Sequence, residues 1–163
     1  MKQDTLSNTV TQATPSPAIR ILKTGTCPSL SGKSKLTYDI ACGVENDLHV
    51  RVLKNSGGGY FSAHYVPWVQ LSAVLDKNGA KPITSHTLVP LFKGLSVNTA
   101  GFLLAVLKHE GLVQPREDQP RSYERLDPSA FYAQLKTLLG QPKAVKPVKA
   151  VKAATPAKKA TKR

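Results

Sequence analysis

The sequence contains few cysteines and no long apolar run. Cys27 and Cys42 are the two cysteines among 163 residues, too few for the disulfide framework of a small secreted protein. The N-terminus lacks the apolar stretch of a signal peptide, and no segment approaches the roughly 20 apolar residues that a membrane-spanning helix needs. These absences predict a cytoplasmic protein that does not enter a membrane.

Acidic residues are scarce and unevenly distributed. The chain has 23 Lys and Arg against 10 Asp and Glu, which gives a formal net charge of +13. Eight of the basic residues and none of the acids lie in residues 141–163, so residues 1–140 carry fifteen basic residues against ten acids. Such an excess predicts an anionic partner, with nucleic acid favoured over an anionic membrane.

A nucleotide-binding motif is also missing. Gly32, Lys33 and Ser34 look like the end of a phosphate-binding P-loop. However, Cys27 stands where the first glycine of that motif belongs, and a strand-like pattern follows where the motif needs a helix. We therefore interpret residues 24–34 as a solvated loop.

Four residues are of the types that ligate metal ions: Cys27, Cys42, His49 and His64. Their spacing is too long and irregular for a local zinc site. Cys42 is predicted to be a small buried thiol in a strand, and Cys27 a loop cysteine. Because no Ser or Cys stands in a recognisable pattern with a His and an acid, we expect no enzyme activity, no catalytic or metal-binding residue and no cofactor.

The first part of the chain alternates apolar and polar residues, which is typical of strands. Residues 1–17 are rich in Ser, Thr, Gln and Asn and are predicted to be disordered. Over residues 18–66 we predict an antiparallel β meander, with a short first strand at 18–23 and further strands at 35–42, 48–54 and 60–66. One face of the second strand would carry Leu36, Tyr38, Ile40 and Cys42.

An aromatic cluster follows the triple glycine at residues 57–59. It consists of Tyr60, Phe61, Tyr65 and Trp68. The favoured interpretation is that these rings attach the meander to the next helix. The alternative is that, with Arg51 and Lys54, they form a stacking surface for unpaired bases.

Residues 67–140 show the apolar spacing of helices. Helices are predicted at 67–75, at 86–93 behind a Ser85 cap and at 97–110 behind a Ser96 cap. Thr99 and Ala105 fall outside the apolar stripe of the third helix. Short strands at 112–113 and 123–126 flank a polar loop at 114–122. Asp127 caps a last helix, which can pack on the core or pair with a second copy of the chain.

The order helix, extended segment, helix, turn, helix, strand, loop and strand over residues 67–126 resembles the winged helix-turn-helix superfamily. The resemblance implies that the N-terminal part of the third helix enters the major groove of DNA, and that the polar loop is a wing that meets the backbone or the minor groove. It assigns the helix contacts to Ser96, Asn98 and Thr99, and the wing contacts to Arg116 and Arg121. Because the helix carries no arginine, base discrimination would be modest.

Residues 141–163 are rich in Lys, Ala and Pro and resemble the basic tails of linker histones and of bacterial histone-like proteins. We predict that this tail is disordered. The resemblance implies that it neutralises phosphates without reading sequence. The residues that would do so are Lys143, Lys146, Lys149, Lys152, Lys158, Lys159, Lys162 and Arg163.

Together these features predict an α+β fold in which a β meander packs with a winged-helix unit, between a disordered N-terminus and a basic tail. The predicted function is binding of double-stranded DNA, as a transcription-regulating or nucleoid-associated factor in the cytoplasm. Two alternatives stay open. One is a protein-interaction module of a replication, partition or transcription complex, and the other is an RNA or single-strand binder. The sequence also leaves open whether the chain forms a homodimer.

Overall fold

The computed structural model describes residues 19–140 as a four-stranded antiparallel sheet packed against four helices. The strands are β1 (Arg20–Pro28), β2 (Lys35–Cys42), β3 (Leu48–Asn55) and β4 (Val66–Pro67), and they lie in that order in the sheet. The α+β class and the antiparallel meander are therefore confirmed. The predictions for residues 1–17 and 141–163 lie outside the described residues.

The apolar face predicted for β2 is confirmed. Leu36, Tyr38, Ile40 and Cys42 are each at most 3% exposed. They are joined on β3 by Val50 and Val52, because alternate residues of neighbouring strands project to the same side of a sheet. This face forms one half of the core.

Two predictions for the sheet were wrong. The loop predicted at residues 24–34 begins only at Ser29, because β1 continues to Pro28 along β2, and this places Cys27 in a strand at 2% exposure. The strand predicted at 60–66 is reduced to the two residues of β4. Gly58 and Gly59 adopt positive φ angles of 69° and 91°, which glycine tolerates, and they turn the chain away from β3.

The helices are α1 (Trp68–Asn78), α2 (Ser85–Leu88), α3 (Asn98–His109) and α4 (Ser129–Leu139), and a 3₁₀ turn (Val89–Phe92) continues α2. Strands β5 (Val113–Pro115) and β6 (Tyr123–Arg125) pair antiparallel, as predicted. Ile83, between α1 and α2, extends this small sheet. Its backbone exchanges two hydrogen bonds of 2.8 Å with Tyr123.

Two predicted helix caps were wrong. Thr84, one residue before Ser85, is the N-cap of α2: its N–H donates to the Thr87 hydroxyl at 3.1 Å, and the Thr87 N–H donates to the Thr84 carbonyl at 3.1 Å. Ser96 does not cap α3, since its hydroxyl donates to the Tyr60 carbonyl at 2.9 Å. A tertiary contact has therefore replaced the local one. α1 also runs three residues beyond its predicted end at residue 75.

α3 is the central element of the molecule. It packs against β1 and β3 on one side and against α2 and the 3₁₀ turn on the other. Thr99 and Ala105, predicted to lie away from the apolar stripe, are therefore buried at 1% and 3% exposure. One hydrophobic core runs from the sheet through α3 to the helices.

α4 packs on this core, which is one of the two arrangements that the sequence left open. The rings of Trp68 and Phe131 lie 5.0 Å apart, and the Trp68 indole N–H donates to the Tyr132 hydroxyl at 2.7 Å. The N-cap position of α4 is Pro128, one residue after the predicted cap, and the Asp127 carboxylate accepts a hydrogen bond from the Ser129 backbone N–H at 2.7 Å.

Candidate nucleic-acid interface

A groove of about 510 Å³ lies at the end of the sheet where α3 begins. It is bordered by the turn between β1 and β2 (residues 29–34), by the glycine-rich segment after β3, and by the first turns of α3. Lys33 and Asn98 supply polar groups on two sides, while Phe102 contributes apolar surface. We call this depression the α3 groove.

The turn at residues 29–34 has a defined geometry that presents Lys33 to solvent. The Ser29 and Ser34 backbones are joined by a 2.8 Å hydrogen bond, and the Gly32 N–H donates to the Ser29 carbonyl at 2.8 Å. Gly32 has a φ of 71°, which a turn of this kind assigns to glycine. The segment therefore forms a strand-to-strand turn rather than a P-loop, as its failed motif predicted.

Three lysines lie at this end of the sheet: Lys33 in the turn, Lys35 at the start of β2 and Lys54 near the end of β3. All three are exposed, and none forms an ion pair with any of the described residues. The segments around them contain no Asp or Glu from residue 5 to 38, from 48 to 75 and from 77 to 109. Lys33 lines the groove, and Lys35 and Lys54 lie at the same end of the sheet, so the charged side chains of these segments are all basic.

This lysine group was missed by the sequence reasoning. The signal that could have found it is the absence of acids from three long segments. Antiparallel pairing of the predicted strands brings the first two segments to one end of the sheet.

The three residues predicted to contact DNA at the start of the third helix form hydrogen bonds with the segment that follows the triple glycine. Ser96 and Asn98 both donate to the Tyr60 carbonyl, at 2.9 and 3.2 Å, and the Ser62 N–H donates to the Thr99 hydroxyl at 2.9 Å. Thr99 is buried, so the prediction that it contacts a base is corrected: its side chain has no surface to offer one. Asn98 is exposed and lines the groove.

The predicted wing, residues 114–122, carries little net charge. The Arg116 guanidinium donates two hydrogen bonds of 2.9 Å to the Asp118 carboxylate, and this contact raises the pKa of Arg116 and lowers that of Asp118. Arg121 is exposed and has a φ of 63°. Since Glu117 lies in the same loop, the loop contains two arginines and two acids, and its formal net charge is zero.

Of the four aromatic residues after the glycines, only Tyr60 is largely exposed, at 88%. The Phe61 ring lies 6.1 Å from that of Phe102, and Trp68 is 9% exposed. Tyr65 lies beneath the Arg51 guanidinium, 4.3 Å from its ring centroid. Phe61 and Trp68 therefore pack against the helices, in line with the favoured interpretation, whereas Tyr65 packs on Arg51 and His49 of β3.

The C-terminal end of α3 is anchored by a buried carboxylate. Glu110, whose side chain is 3% exposed, accepts hydrogen bonds of 2.8 and 2.9 Å from the Lys23 ammonium and a further one from the Tyr38 hydroxyl. Burial and this carboxylate raise the pKa of Tyr38 far above its ordinary value. Burial, with the charge of Glu110 second, also raises the pKa of the Cys27 thiol, so this cysteine is an unreactive core residue.

A second polar network lies on the other face of the sheet. Arg51 donates two hydrogen bonds to the buried Asp39 carboxylate, at 3.0 and 2.8 Å, and the Thr24 hydroxyl donates a third at 2.7 Å. Arg51 is thus engaged with Asp39 and Tyr65 rather than presented to a ligand.

Within residues 19–140, no group of three or more His, Cys, Asp and Glu side chains is placed to hold a metal ion. In the same range, no helix has the length and apolar character needed to cross a bilayer. The predicted phosphate-binding residues from Lys143 to Arg163 lie outside the described range.

The chain was compared with known proteins at three levels. No protein-family model matches it, and no curated protein or solved structure does so either.

Proposed function

We propose that this protein binds double-stranded DNA through a winged-helix unit, residues 67–126, assisted by its basic tail. The observation that carries the proposal is the pairing of Ile83 with Tyr123, which adds the segment between α1 and α2 to the β5–β6 hairpin. This order of helix, strand, helix, helix, strand, loop and strand resembles that of a winged helix, in which the helix preceding the hairpin faces DNA.

The burial of α3 indicates how such a complex would form. The sheet covers much of the helix, and Asn98 is the one member of the predicted trio that is exposed. Contacts with bases are therefore few, and affinity comes from phosphates. On the described part of the chain, Lys33, Lys35 and Lys54 would contact phosphates beside the helical unit, together with Arg116 and Arg121 of the predicted wing. This favours a nucleoid-associated role over a sequence-specific regulator.

A protein-interaction module is the second candidate function. It is favoured by one observation, the pairing of Arg116 with Asp118, which leaves the predicted wing without excess charge. In this case the helical unit would present its surface to a protein, and the tail alone would adhere to DNA.

Titration of a blunt duplex with the full chain, at about 50 and about 200 mM salt, tests the DNA proposal. A variant with Lys33, Lys35 and Lys54 all changed to Gln is compared with a control that has Lys77, Lys81 and Lys136 changed to Gln. Both lose three exposed and unpaired charges of the described region, but the control loses them away from the α3 groove.

We expect binding that falls steeply with salt. For the groove variant, the slope of log K against log salt should become shallower by up to about 3. For the control, the slope should change by less. Equal effects of the two variants would show that the groove does not face DNA. Absence of binding by the unaltered chain would overturn the proposal.

A further inference from the structure

The Tyr60 side chain is exposed to solvent, and hydrogen bonds hold its backbone in place. Its side chain is 88% exposed, although three glycines precede it and its neighbour Phe61 packs inward. The position of its backbone is set by the hydrogen bonds that its carbonyl accepts from Ser96 and Asn98, and by the bond from the next residue, Ser62, to Thr99. Ser96, which precedes α3, and two side chains of the first turn of α3 thus hold this segment.

The backbone of Tyr60 lies beside the α3 groove. Asn98 connects the two, because it lines the groove and also donates to the Tyr60 carbonyl. Gly58, two residues before Tyr60, lines the groove as well. The opposite wall carries the exposed Lys33.

The surroundings combine the two features that unpaired nucleic acid needs. Single strands are bound where cations follow the phosphates and aromatic side chains stack on the bases. Here the ring is Tyr60 and the cation that lines the groove is Lys33, with Lys35 and Lys54 at the same end of the sheet, in segments without a single acid. A paired base has both faces stacked within a duplex and offers none to a protein ring, so the geometry favours an unpaired one.

We propose that the α3 groove binds the phosphates of an unpaired nucleotide and that Tyr60 stacks on its base. This inference rests on the proposed nucleic-acid function and extends it from duplex to a duplex that carries a single-stranded overhang or gap. Asn98 lies where it can donate or accept a hydrogen bond from the bound strand. The tail contributes affinity to either form of DNA without distinguishing them.

The test compares a blunt duplex with the same duplex carrying a short overhang that contains 2-aminopurine, whose fluorescence is quenched on stacking. The full chain is used, with Tyr60→Ala, Tyr60→Phe and, as control, Val69→Ala. Val69 is 71% exposed on α1, so its truncation removes exposed apolar surface elsewhere. Because both side chains are exposed, circular dichroism and melting should show that all variants fold alike.

The unaltered chain should prefer the overhang by about fivefold or more and change the 2-aminopurine emission. Tyr60→Ala should lose both effects, whereas Tyr60→Phe and Val69→Ala should keep them. No preference in the unaltered chain, or a preference that survives in Tyr60→Ala, would overturn the inference. Binding of the blunt duplex is read separately: its absence removes the duplex proposal, and absence of binding to both DNAs removes both proposals.

Discussion

The hydroxyl of Tyr38 donates to the carboxylate of Glu110, and this bond joins the middle of the sheet to the end of α3. Lys23 of the edge strand β1 donates to both oxygens of the same carboxylate. Because a buried carboxylate without partners is costly, the three groups fix one position of the sheet on the helix. That position determines which part of α3 stays exposed at the groove.

Changing Glu110 to Ala should destabilise the fold. The change leaves the Tyr38 hydroxyl unpaired in the core and Lys23 without its partner. Since Lys23 is partly exposed, we expect the free energy of unfolding to fall by about 2 kcal/mol, less than for a fully buried pair. Urea denaturation measures this. Glu117→Ala, in the exposed loop, is the control and should change little; equal losses in the two variants would contradict the role of Glu110.

Gly25 should not accept a side chain. A Cβ added there would lie 2.4 Å from the Tyr38 hydroxyl oxygen, and Tyr38 is fully buried and held by Glu110. We expect Gly25→Ala to lower the free energy of unfolding by about 1–3 kcal/mol.

Gly101 provides the opposite case for the same measurement. It lies inside α3, and its added Cβ would meet nothing closer than the Ser85 Cβ at 3.9 Å. Gly101→Ala should therefore stabilise the fold by about 0.5–1 kcal/mol. If both substitutions moved stability in the same direction, the close packing assigned to Gly25 and Tyr38 would be wrong.

Alkaline pH should destabilise the fold through Tyr38. Burial raises the pKa of Tyr38 above its ordinary value of 10.0, so the folded chain keeps the phenol neutral while the unfolded chain ionises it. The contribution of this pKa difference to the free energy of unfolding is fully present below about pH 10 and is lost as the pH rises further. The Tm of the unaltered chain should thus fall more steeply above pH 10 than that of Tyr38→Phe. Tyr60→Phe, at an exposed position, is the control; parallel curves for Tyr38→Phe and the unaltered chain would contradict this account.

Asp118→Asn should strengthen duplex binding if the predicted wing faces DNA. The change releases Arg116 from its carboxylate partner and removes a negative charge from the loop. We expect affinity at low salt to rise by about threefold, as is typical of one exposed charge. Changing both Arg116 and Arg121 to Ala should weaken binding and reduce the salt slope by up to about 2. Duplex titrations check both, and unchanged affinity in both variants would remove the wing from the interface.

Local pattern predicted the element order from Trp68 to Leu139, because apolar spacing, glycine stops and turn residues act within a few positions. It failed where distant segments meet. Ser96 looked like a helix cap, yet its hydroxyl is used by Tyr60, 36 residues away. The exit of the chain from the sheet at Gly58 and Gly59 also overrode the strong strand propensity of residues 60–66.

The candidate site was harder to predict than the fold. In the sequence, Glu110 looks like an ordinary polar residue at a helix end. Its partners Lys23 and Tyr38 lie 87 and 72 residues before it, so no local pattern connects them. All residues of α3 from Leu103 to Leu107 are apolar. Such an uninterrupted apolar run indicates a helix that is buried on two sides. Recognition of that run would have placed Thr99 in the core.

The most direct test of the central claim is a duplex titration that separates the folded region from the tail. The full chain is compared with a variant in which all eight Lys and Arg of residues 141–163 are changed to Gln. Our account predicts that the variant binds more weakly, with a salt slope reduced by up to about 7, but still binds, and still loses affinity when Lys33, Lys35 and Lys54 are changed. A variant that no longer binds duplex at low salt would show that the tail alone carries the affinity and would contradict the account.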